Sequence, residues 1–192
     1  RISRYLQEFS RVKGNIAIYF PSYQMLESFR DCIPAAKPPR SIFFEPRDAR
    51  EAQIALQKFL SLPTKGESGL LVGVCGGKWS EGLDYRGEML SGAMVIGLPL
   101  APYNRVRQMI IQYFRNKFGE EGEFISYTLP AINRALQALG RVLRTPEDRG
   151  ILVLGERRFM EPRVLEALPS WMRNELEPTR AESFPALLEG WK

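Results

Sequence analysis

The stretch RALQALGRVLRTPEDRGILVLGERRF, residues 134–159, predicts a helix, a turn and a buried strand. Apolar residues recur at spacings of three and four from Ala131 to Leu143, which is typical of an amphipathic helix. Ile151 to Leu154 is a short continuous apolar run, as expected for a strand that is covered on both faces. A helix that leads into such a strand is one repeat of an α/β fold.

Three polar residues, Gln137, Arg141 and Arg144, are expected on the opposite side of this helix. Residues three and four apart are neighbours on a helix, with Cβ atoms about 5–6 Å apart, so the two guanidinium groups can converge on one small anion. Arginine stays charged and offers paired donors, which suits a phosphoryl group that gains charge during transfer. The alternative is that both arginines are solvated surface charges, which are common on exposed helix faces.

Composition limits the functions that remain open. The 192 residues, 44% of them apolar, suffice for one full core, so a single domain over residues 1–192 is expected. Lys and Arg number 27 against 22 Asp and Glu, which mildly favours phosphate-bearing partners. The chain has no histidine, which excludes His-based triads, His-ligated metals and His general bases. The cysteines, Cys32 and Cys75, are too few for a disulfide framework or a four-cysteine cluster.

Neither a signal peptide nor a membrane-spanning run is recognised in the sequence. The longest apolar stretch, residues 89–101, is interrupted by serine, glycine and proline and falls short of the roughly 18 apolar residues that a membrane helix needs. We expect no membrane partner and an intracellular protein, cytoplasmic in a prokaryote or nuclear in a eukaryote. Because the chain begins at Arg1 without a leader, we also expect a fragment of a longer protein.

Four further apolar runs of strand length lie upstream, and helical patterns alternate with them. The predicted strands are Ile16–Phe20, Ser41–Phe44, Leu70–Cys75 and Ala93–Leu98, and the predicted helices are 1–12, 23–31, 48–60 and 104–117. This alternation implies a parallel sheet with right-handed crossovers. Ser22 and Asp48 suit the N-termini of two helices. The residues expected inside helix 104–117 are Val106, Met109, Ile110, Tyr113 and Phe114.

The rest of the chain is predicted to be loops and short helices. Residues 119–123 are expected to form a polar loop, and Pro130 fits the first turn of the helix that follows. The tail over residues 160–192 is predicted as short helices broken by prolines, and residues 1–13 as a lead-in helix that packs on the core.

A glycine-rich loop, GGKWSEGLD at residues 76–84, follows the third predicted strand directly. It is not a P-loop, because Val72 and Trp79 stand where that motif needs a glycine and a hydroxyl residue, and it does not fit the dinucleotide fingerprint. Glycines here let the backbone approach a ligand closely. Lys78 and Ser80 can hold a nucleic-acid phosphate, and Asp84 can accept a hydrogen bond from a ribose hydroxyl. A plain glycine-rich turn is the alternative.

Three stretches in this order resemble the second, C-terminal motor domain of XPD-like and DinG-like superfamily 2 DNA helicases. They are GNIAIYFPSY at 14–23, VCGGKWSEGLD at 74–84, and QALGRVLR at 137–144 with DRGILVLGERRF at 148–159. The resemblance continues through LPSW at 168–171. It implies a RecA-like three-layer α/β/α fold with a mainly parallel central sheet, in a 5′→3′ helicase associated with DNA repair. Such motors have two RecA-like domains, with ATP between them and single-stranded DNA across the top.

The resemblance also implies roles for individual residues. It makes Gln137, Arg141 and Arg144 catalytic, because the corresponding arginines reach the γ-phosphate of ATP from the second domain. Residues that correspond to nucleotide or DNA contacts are Gly82 and Asp84 for the nucleotide and Ser22, Tyr23, Lys78, Trp79 and Ser80 for the strand.

The remaining components are implied to lie outside this chain. ATP and Mg²⁺ are expected to be held mainly by the first motor domain of the same polypeptide, and an iron–sulfur cluster is expected only in that half. Single-stranded DNA and the first motor domain are therefore the expected partners, and this chain alone is expected not to hydrolyse ATP.

Two residues depart from the pattern of the family. Glu156 stands where aspartate is usual, so a salt bridge with a longer reach is expected. Trp79 stands where a small aliphatic residue is usual, and it either stacks on a base or fills an apolar gap. Two other functions stay open: a stand-alone nucleic-acid-binding RecA-like module without ATPase function, and an α/β enzyme that uses a different nucleotide ligand.

Overall fold

The five apolar runs form the strands of one sheet. The computed structural model describes residues 2–33, 40–80, 90–143 and 148–189. The strands are β1 Ile16–Phe20, β2 Ser41–Phe44, β3 Gly69–Val74, β4 Gly92–Ile96 and β5 Ile151–Gly155. They are ordered β2-β3-β1-β4-β5, and every pairing is parallel. The predicted parallel sheet is confirmed.

Helices cover both faces of this sheet. They are α1 Ile2–Phe9, α2 Tyr23–Phe29, α3 Ala49–Leu60, α4 Arg105–Phe118, α5 Glu121–Glu123, α6 Leu129–Leu139, α7 Pro162–Glu166, α8 Ser170–Asn174 and α9 Phe184–Glu189. Side chains of α3, α6, α7 and α8 join the apolar cluster that contains Tyr19 and Leu71. Those of α1, α2 and α9 join the cluster that contains Ile18 and Val72. Because neighbouring residues of a strand point to opposite faces, the fold is a three-layer α/β/α sandwich.

Capping residues begin several helices where the sequence predicts them. The Ser22 hydroxyl accepts a hydrogen bond from the Met25 N–H at 3.2 Å, and this bond caps α2. The Asp48 carboxylate accepts from the N–H groups of Arg50 and Glu51, both at 2.9 Å, and caps α3. Each bond satisfies a backbone donor that has no partner inside the helix.

The apolar side of α4 contradicts its prediction, because most of it faces outward. Exposed fractions of 65%, 66% and 62% are found for Val106, Met109 and Tyr113. Ile111 is the buried side chain of this helix, while Ile110 and Phe114 are half-buried. α4 packs on the helical segment made of α5 and the π-helical residues Phe124–Thr128. Periodicity shows which side chains share a helix face, but it does not show whether another element covers that face.

The helix of the opening stretch ends earlier than its apolar pattern predicts. α6 ends at Leu139, and Pro130 lies in its first turn as expected. The Gly140 N–H donates to the Leu136 carbonyl at 2.7 Å and the Val142 N–H to the Leu139 carbonyl at 3.1 Å, so the chain tightens into a turn. Glycine is a weak helix former, which explains the early end. Upstream, the predicted polar loop 119–123 is partly helical, because α5 lies within it.

The tail is broken by prolines as predicted. Pro162 opens α7, and Pro169 immediately precedes α8. At the other end of the chain, α1 buries Leu6 and Phe9 against the sheet, so the lead-in helix is confirmed. Within the part of the chain that the structure describes, no helix has both the length and the apolar character needed to cross a membrane.

Candidate functional site

The candidate site lies at the edge of the sheet where the parallel strands end. Ser22 and Tyr23 follow β1, Glu45 follows β2, the glycine-rich loop follows β3, and Glu156 follows β5. In open α/β sheets this edge is where ligands bind. Ser22 and Tyr23, the glycine-rich loop and Glu156 therefore bring one part of each of the three stretches to this edge.

Glu45 is the centre of one half of this edge, and the sequence analysis missed it. Its carboxylate accepts three hydrogen bonds, from the Tyr23 hydroxyl at 3.0 Å, the Lys78 N–H at 2.7 Å and the Val74 N–H at 3.0 Å. The residue is only 5% exposed. Burying a carboxylate is costly unless hydrogen bonds compensate it, and three donors do so here. Its position directly after a strand is the one sequence signal that pointed to it.

The glycines around the loop make room for this carboxylate. A Cβ atom on Gly73 would lie 2.6 Å from the Glu45 Oε2 atom, and one on Gly77 would clash with both carboxylate oxygens. Gly76 has φ +77°, a conformation that favours glycine. The group that approaches the backbone at Gly73 and Gly77 is thus a side chain of the protein itself, and the close approach of a ligand stays a prediction.

Tyr23 is tied to Glu45 and lies under a cation. Burial raises the pKa of Tyr23 to about 12, and the neighbouring Glu45 carboxylate adds to this rise because it disfavours the phenolate. The guanidinium carbon of Arg47 lies 5.0 Å from the centre of the Tyr23 ring. The hydroxyl is therefore a neutral donor at physiological pH, and the ring is held in place from two sides.

Two residues that were expected to touch DNA have buried side chains. Trp79 is fully buried and its indole N–H donates to the Ala52 carbonyl at 2.9 Å. Ser80 is 1% exposed, and its hydroxyl is placed to donate to the carbonyl of Val74 at 3.0 Å. Neither side chain offers a surface to a strand, so a contact of these residues with DNA would have to be made by their backbone. Trp79 instead fills an apolar gap between the sheet and α3, the alternative that the sequence left open.

Arg141 lies beyond the end of α6 and reaches the glycine-rich loop. Its terminal Nη2 donates to the backbone carbonyl of Ser80 at 3.1 Å, and the side chain is half-buried. Gln137 is exposed on α6, but α6 ends at Leu139, before Arg141. The prediction that these two residues share one polar side of a helix is therefore wrong. The expected residues Gly82, Asp84 and Arg144 lie outside the described residues. Arg141 is thus joined to the loop at the sheet edge, rather than to Gln137.

Glu156 forms the salt bridge that was expected after β5. Its carboxylate lies 3.0 Å from the Arg158 guanidinium. Burial alone would raise the pKa of Glu156, but hydrogen bonds from Arg158 and from the backbone N–H of Leu98 hold that pKa below its ordinary value. Gly97, with φ +79°, makes the turn that brings the chain after β4 beside this carboxylate. The hydrogen bond from Leu98, rather than the salt bridge, joins the chain after β4 to Glu156 after β5.

Cys75 is the thiol of this edge. Burial raises its pKa to about 12, while the positive charge of Arg134 on α6 opposes the rise. The thiol is therefore protonated and unreactive at neutral pH. None of the described residues form a group of three or more Cys, Asp or Glu side chains that could hold a metal ion.

Comparison with known proteins identifies the family. Residues 5–175 match the family model described as helicase C-terminal domain. The chain belongs to this helicase family. It is an XPD-like C-terminal domain, as the order of its three motifs predicted.

The curated proteins that this chain matches by sequence carry the word helicase in their names. The chain is 30% identical over 180 residues to the general transcription and DNA repair factor IIH helicase subunit XPD/RAD3 of Saccharomyces cerevisiae, covering 89% of this chain and 23% of that protein. It is 29% identical to the regulator of telomere elongation helicase 1 homolog of Culex quinquefasciatus, covering 90% of this chain and 19% of that protein. The chain spans about a fifth of the length of these curated relatives.

Solved structures share the fold. An apo XPD structure superposes with a TM-score of 0.64 at 22% identity, covering 87% of this chain and 33% of the other. An XPD helicase structure gives a TM-score of 0.63 at 23% identity, covering 87% of this chain and 29% of the other. The RecA-like three-layer α/β/α fold is thereby confirmed.

Proposed function

We propose that this chain is the second motor domain of an ATP-dependent DNA helicase that moves 5′→3′ and acts in DNA repair. In this proposal it completes an ATP site on the first motor domain and contacts single-stranded DNA at its sheet edge. The observation that carries the proposal is the bond between Arg141 and the Ser80 carbonyl, 3.1 Å long. It orients a half-buried guanidinium beside the loop that follows β3.

Arg141 has the chemistry that phosphoryl transfer needs. It places a permanent positive charge where negative charge develops on the γ-phosphoryl group of ATP, and the Ser80 carbonyl orients it before the reaction begins. A group of this kind is worth on the order of 10³–10⁵ in rate. Arg144 and Gln137 are assigned to the same ATP site by the family pattern, and Gly82 and Asp84 to contacts with the nucleotide. Mg²⁺ and most of the ATP contacts come from the first motor domain, and an iron–sulfur cluster belongs to that half.

Strand contact is assigned to the exposed groups of the sheet edge. Lys78 is half-buried with its backbone held by Glu45, so its ammonium group can reach a phosphate from a fixed base. Ser22 is exposed at the start of α2, and the ring of Tyr23 is partly exposed under Arg47. A chain with 27 Lys and Arg against 22 Asp and Glu suits a polyanion.

The test compares two arginines in the full-length protein. Arg141→Ala is expected to lower DNA-stimulated ATP turnover by on the order of 10³, because it removes charge stabilisation in the transition state. Affinity for single-stranded DNA should stay within about threefold, because the remaining strand contacts are intact. Arg149→Ala is the matched control, since Arg149 is exposed. Normal turnover in Arg141→Ala would refute the assignment.

A second measurement separates the motor from a binding module. This chain alone should not turn over ATP, and addition of the separately produced first motor domain should restore DNA-stimulated turnover. If the full-length protein binds single-stranded DNA but shows no ATP turnover, the stand-alone nucleic-acid-binding module replaces the motor.

A further inference from the structure

Glu45 connects the strand-facing residues with the arginine, although it is expected to touch neither DNA nor ATP. Its carboxylate holds the Tyr23 hydroxyl and the Lys78 N–H. Two residues after Lys78, the carbonyl of Ser80 accepts the hydrogen bond from Arg141. One path from Glu45 to Arg141 therefore runs through residues 78–80.

Each residue of this three-residue segment is anchored. Lys78 is held through its N–H by Glu45, Trp79 through its indole by the Ala52 carbonyl, and Ser80 through its buried hydroxyl. A segment fixed at every residue transmits a displacement rather than absorbing it, because packed interiors have few alternative arrangements. Two of these anchors lead back to Glu45, because Val74, whose carbonyl accepts the Ser80 hydroxyl, also donates its N–H to Glu45. A change at Lys78 and Val74 together is therefore expected to alter the position of the Ser80 carbonyl.

The glycines show how closely the loop and the carboxylate are fitted to each other. Gly73 and Gly77 flank Glu45 so closely that a Cβ atom on either would clash with it. Two backbone N–H groups donate hydrogen bonds to the carboxylate, Val74 at 3.0 Å and Lys78 at 2.7 Å. Without the carboxylate, both buried or partly buried N–H groups lose their partner, and the loop must rearrange to satisfy them.

We propose that Glu45 is a positioning residue that holds the loop after β3 and thereby sets the orientation of Arg141. The proposal rests on the proposed function, because it concerns the same ATP and strand sites. It makes strand contact at Lys78 and ATP turnover at Arg141 depend on one buried side chain. Glu45 exchanges no proton and contacts no substrate; its part is to accept three hydrogen bonds.

The first test is Glu45→Gln in the full-length protein. The amide oxygen can replace only one carboxylate oxygen, so its NH₂ group meets either the Val74 N–H or the donors of Tyr23 and Lys78. We expect the kcat of DNA-stimulated ATP hydrolysis to fall on the order of tenfold or more, since small misplacements of a catalytic group are costly. The KM for ATP should not change, because ATP is bound mainly by the other motor domain. Glu51→Gln, on the exposed side of α3, is the matched control.

Two further variants distinguish positioning from loss of stability. Val164→Ala opens a cavity at a 2% exposed residue of α7, outside the loop after β3. It serves as a destabilised variant, with turnover measured well below the melting temperature of both proteins. If Val164→Ala lowers kcat as much as Glu45→Gln does, the positioning role is overturned. If kcat falls only in Glu45→Gln, the positioning role is supported.

A spectroscopic readout checks the contact itself without ATP or DNA. The phenolate absorbance of Tyr23 is obtained as the difference between wild type and Tyr23→Phe across alkaline pH. In Glu45→Gln the pKa of Tyr23 should fall from about 12 part of the way toward its ordinary value, because burial remains while the carboxylate charge is removed. A lowered pKa of Tyr23 with unchanged kcat would overturn the positioning role. Normal turnover in Arg141→Ala would instead overturn the proposed function, so the two failures are distinguishable.

Discussion

Trp79 gives the sharpest test of whether a residue beside the strand site serves the core or the DNA. It is fully buried, and its indole N–H donates to the Ala52 carbonyl at 2.9 Å. Trp79→Phe removes this donor and shortens the ring system, so the Ala52 carbonyl loses one partner and a small cavity opens beside α3. We expect this substitution to destabilise the fold while leaving strand binding intact.

The magnitude follows from the two losses. A lost hydrogen bond in a buried position costs about 1 kcal/mol. The cavity costs about 1–3 kcal/mol, which is part of the 3–5 kcal/mol typical of replacing a buried tryptophan by alanine. Their sum is roughly 2–4 kcal/mol, a large share of the 5–15 kcal/mol that stabilises a typical domain. Trp171→Phe is the control, because Trp171 is 49% exposed and should cost less than about 0.5 kcal/mol.

Urea unfolding followed by circular dichroism measures this cost without relying on the tryptophan fluorescence that the variants change. Binding of single-stranded DNA by the full-length protein is then measured well below the unfolding midpoint. A buried Trp79 predicts a DNA affinity within about twofold of wild type. Base stacking would instead be worth about 1–3 kcal/mol of affinity. Unchanged stability together with weakened binding would refute the structural role and restore the stacking interpretation.

Three further outcomes are expected. The thiol of Cys75 should react with a maleimide only after unfolding. Its raised pKa also predicts that the free energy of unfolding falls by about 1.4 kcal/mol per pH unit between pH 9 and 12, because the thiol loses its proton at a lower pH in the unfolded chain than in the folded one. Met109→Glu on the exposed side of α4 should change the free energy of unfolding by less than about 0.5 kcal/mol, whereas Ile111→Ala should lower it by about 2–5 kcal/mol. Equal changes in the two variants would contradict the outward orientation of α4. Because the pKa of Glu156 is lowered in the folded protein, its carboxylate stabilises the fold at neutral pH, and this contribution is lost as the pH falls through that pKa. In Glu156→Gln the free energy of unfolding should therefore fall less steeply as the pH is lowered.

The sheet could be predicted from the sequence because its strands carry a local signal. β1 and β3 are buried at every position. The apolar run of β1 stops before Pro21, and that of β3 continues to Cys75 and stops before Gly76. Such runs need cover on both faces, which only flanking helices provide in a parallel sheet. The order of the strands and the helices between them then left few topologies.

The outward side of α4 could not be predicted, because its sequence pattern has two solutions. Its apolar residues recur at helical spacing whether they face the sheet or solvent. α4 packs on the helical segment formed by α5 and Phe124–Thr128, and the side chain buried by this helix is Ile111. Only the tertiary position of that segment decides which side of α4 is covered.

Arg141 shows a similar limit at the site. The apolar pattern continues past Gly140 to Leu143, so periodicity alone extends α6 and aligns Arg141 with Gln137. The chain leaves the helix at Leu139, and Arg141 bonds to a carbonyl 61 residues earlier in the sequence. A contact with a backbone carbonyl leaves no trace in residue type, since every residue has one.

The glycine-rich loop draws these points together. Missing side chains at Gly73 and Gly77 signal that some group approaches the backbone, but the same pattern serves a bound phosphate and an internal carboxylate equally well. Here the carboxylate of Glu45 occupies that space and holds the backbone of Val74 and Lys78 without a bound ligand. If Lys78 contacts a strand as proposed, a backbone held in advance spends little binding energy on reordering. In the proposed positioning role, the same arrangement keeps the Ser80 carbonyl in place for Arg141, so Gly73 and Gly77 serve the arginine by making room for Glu45.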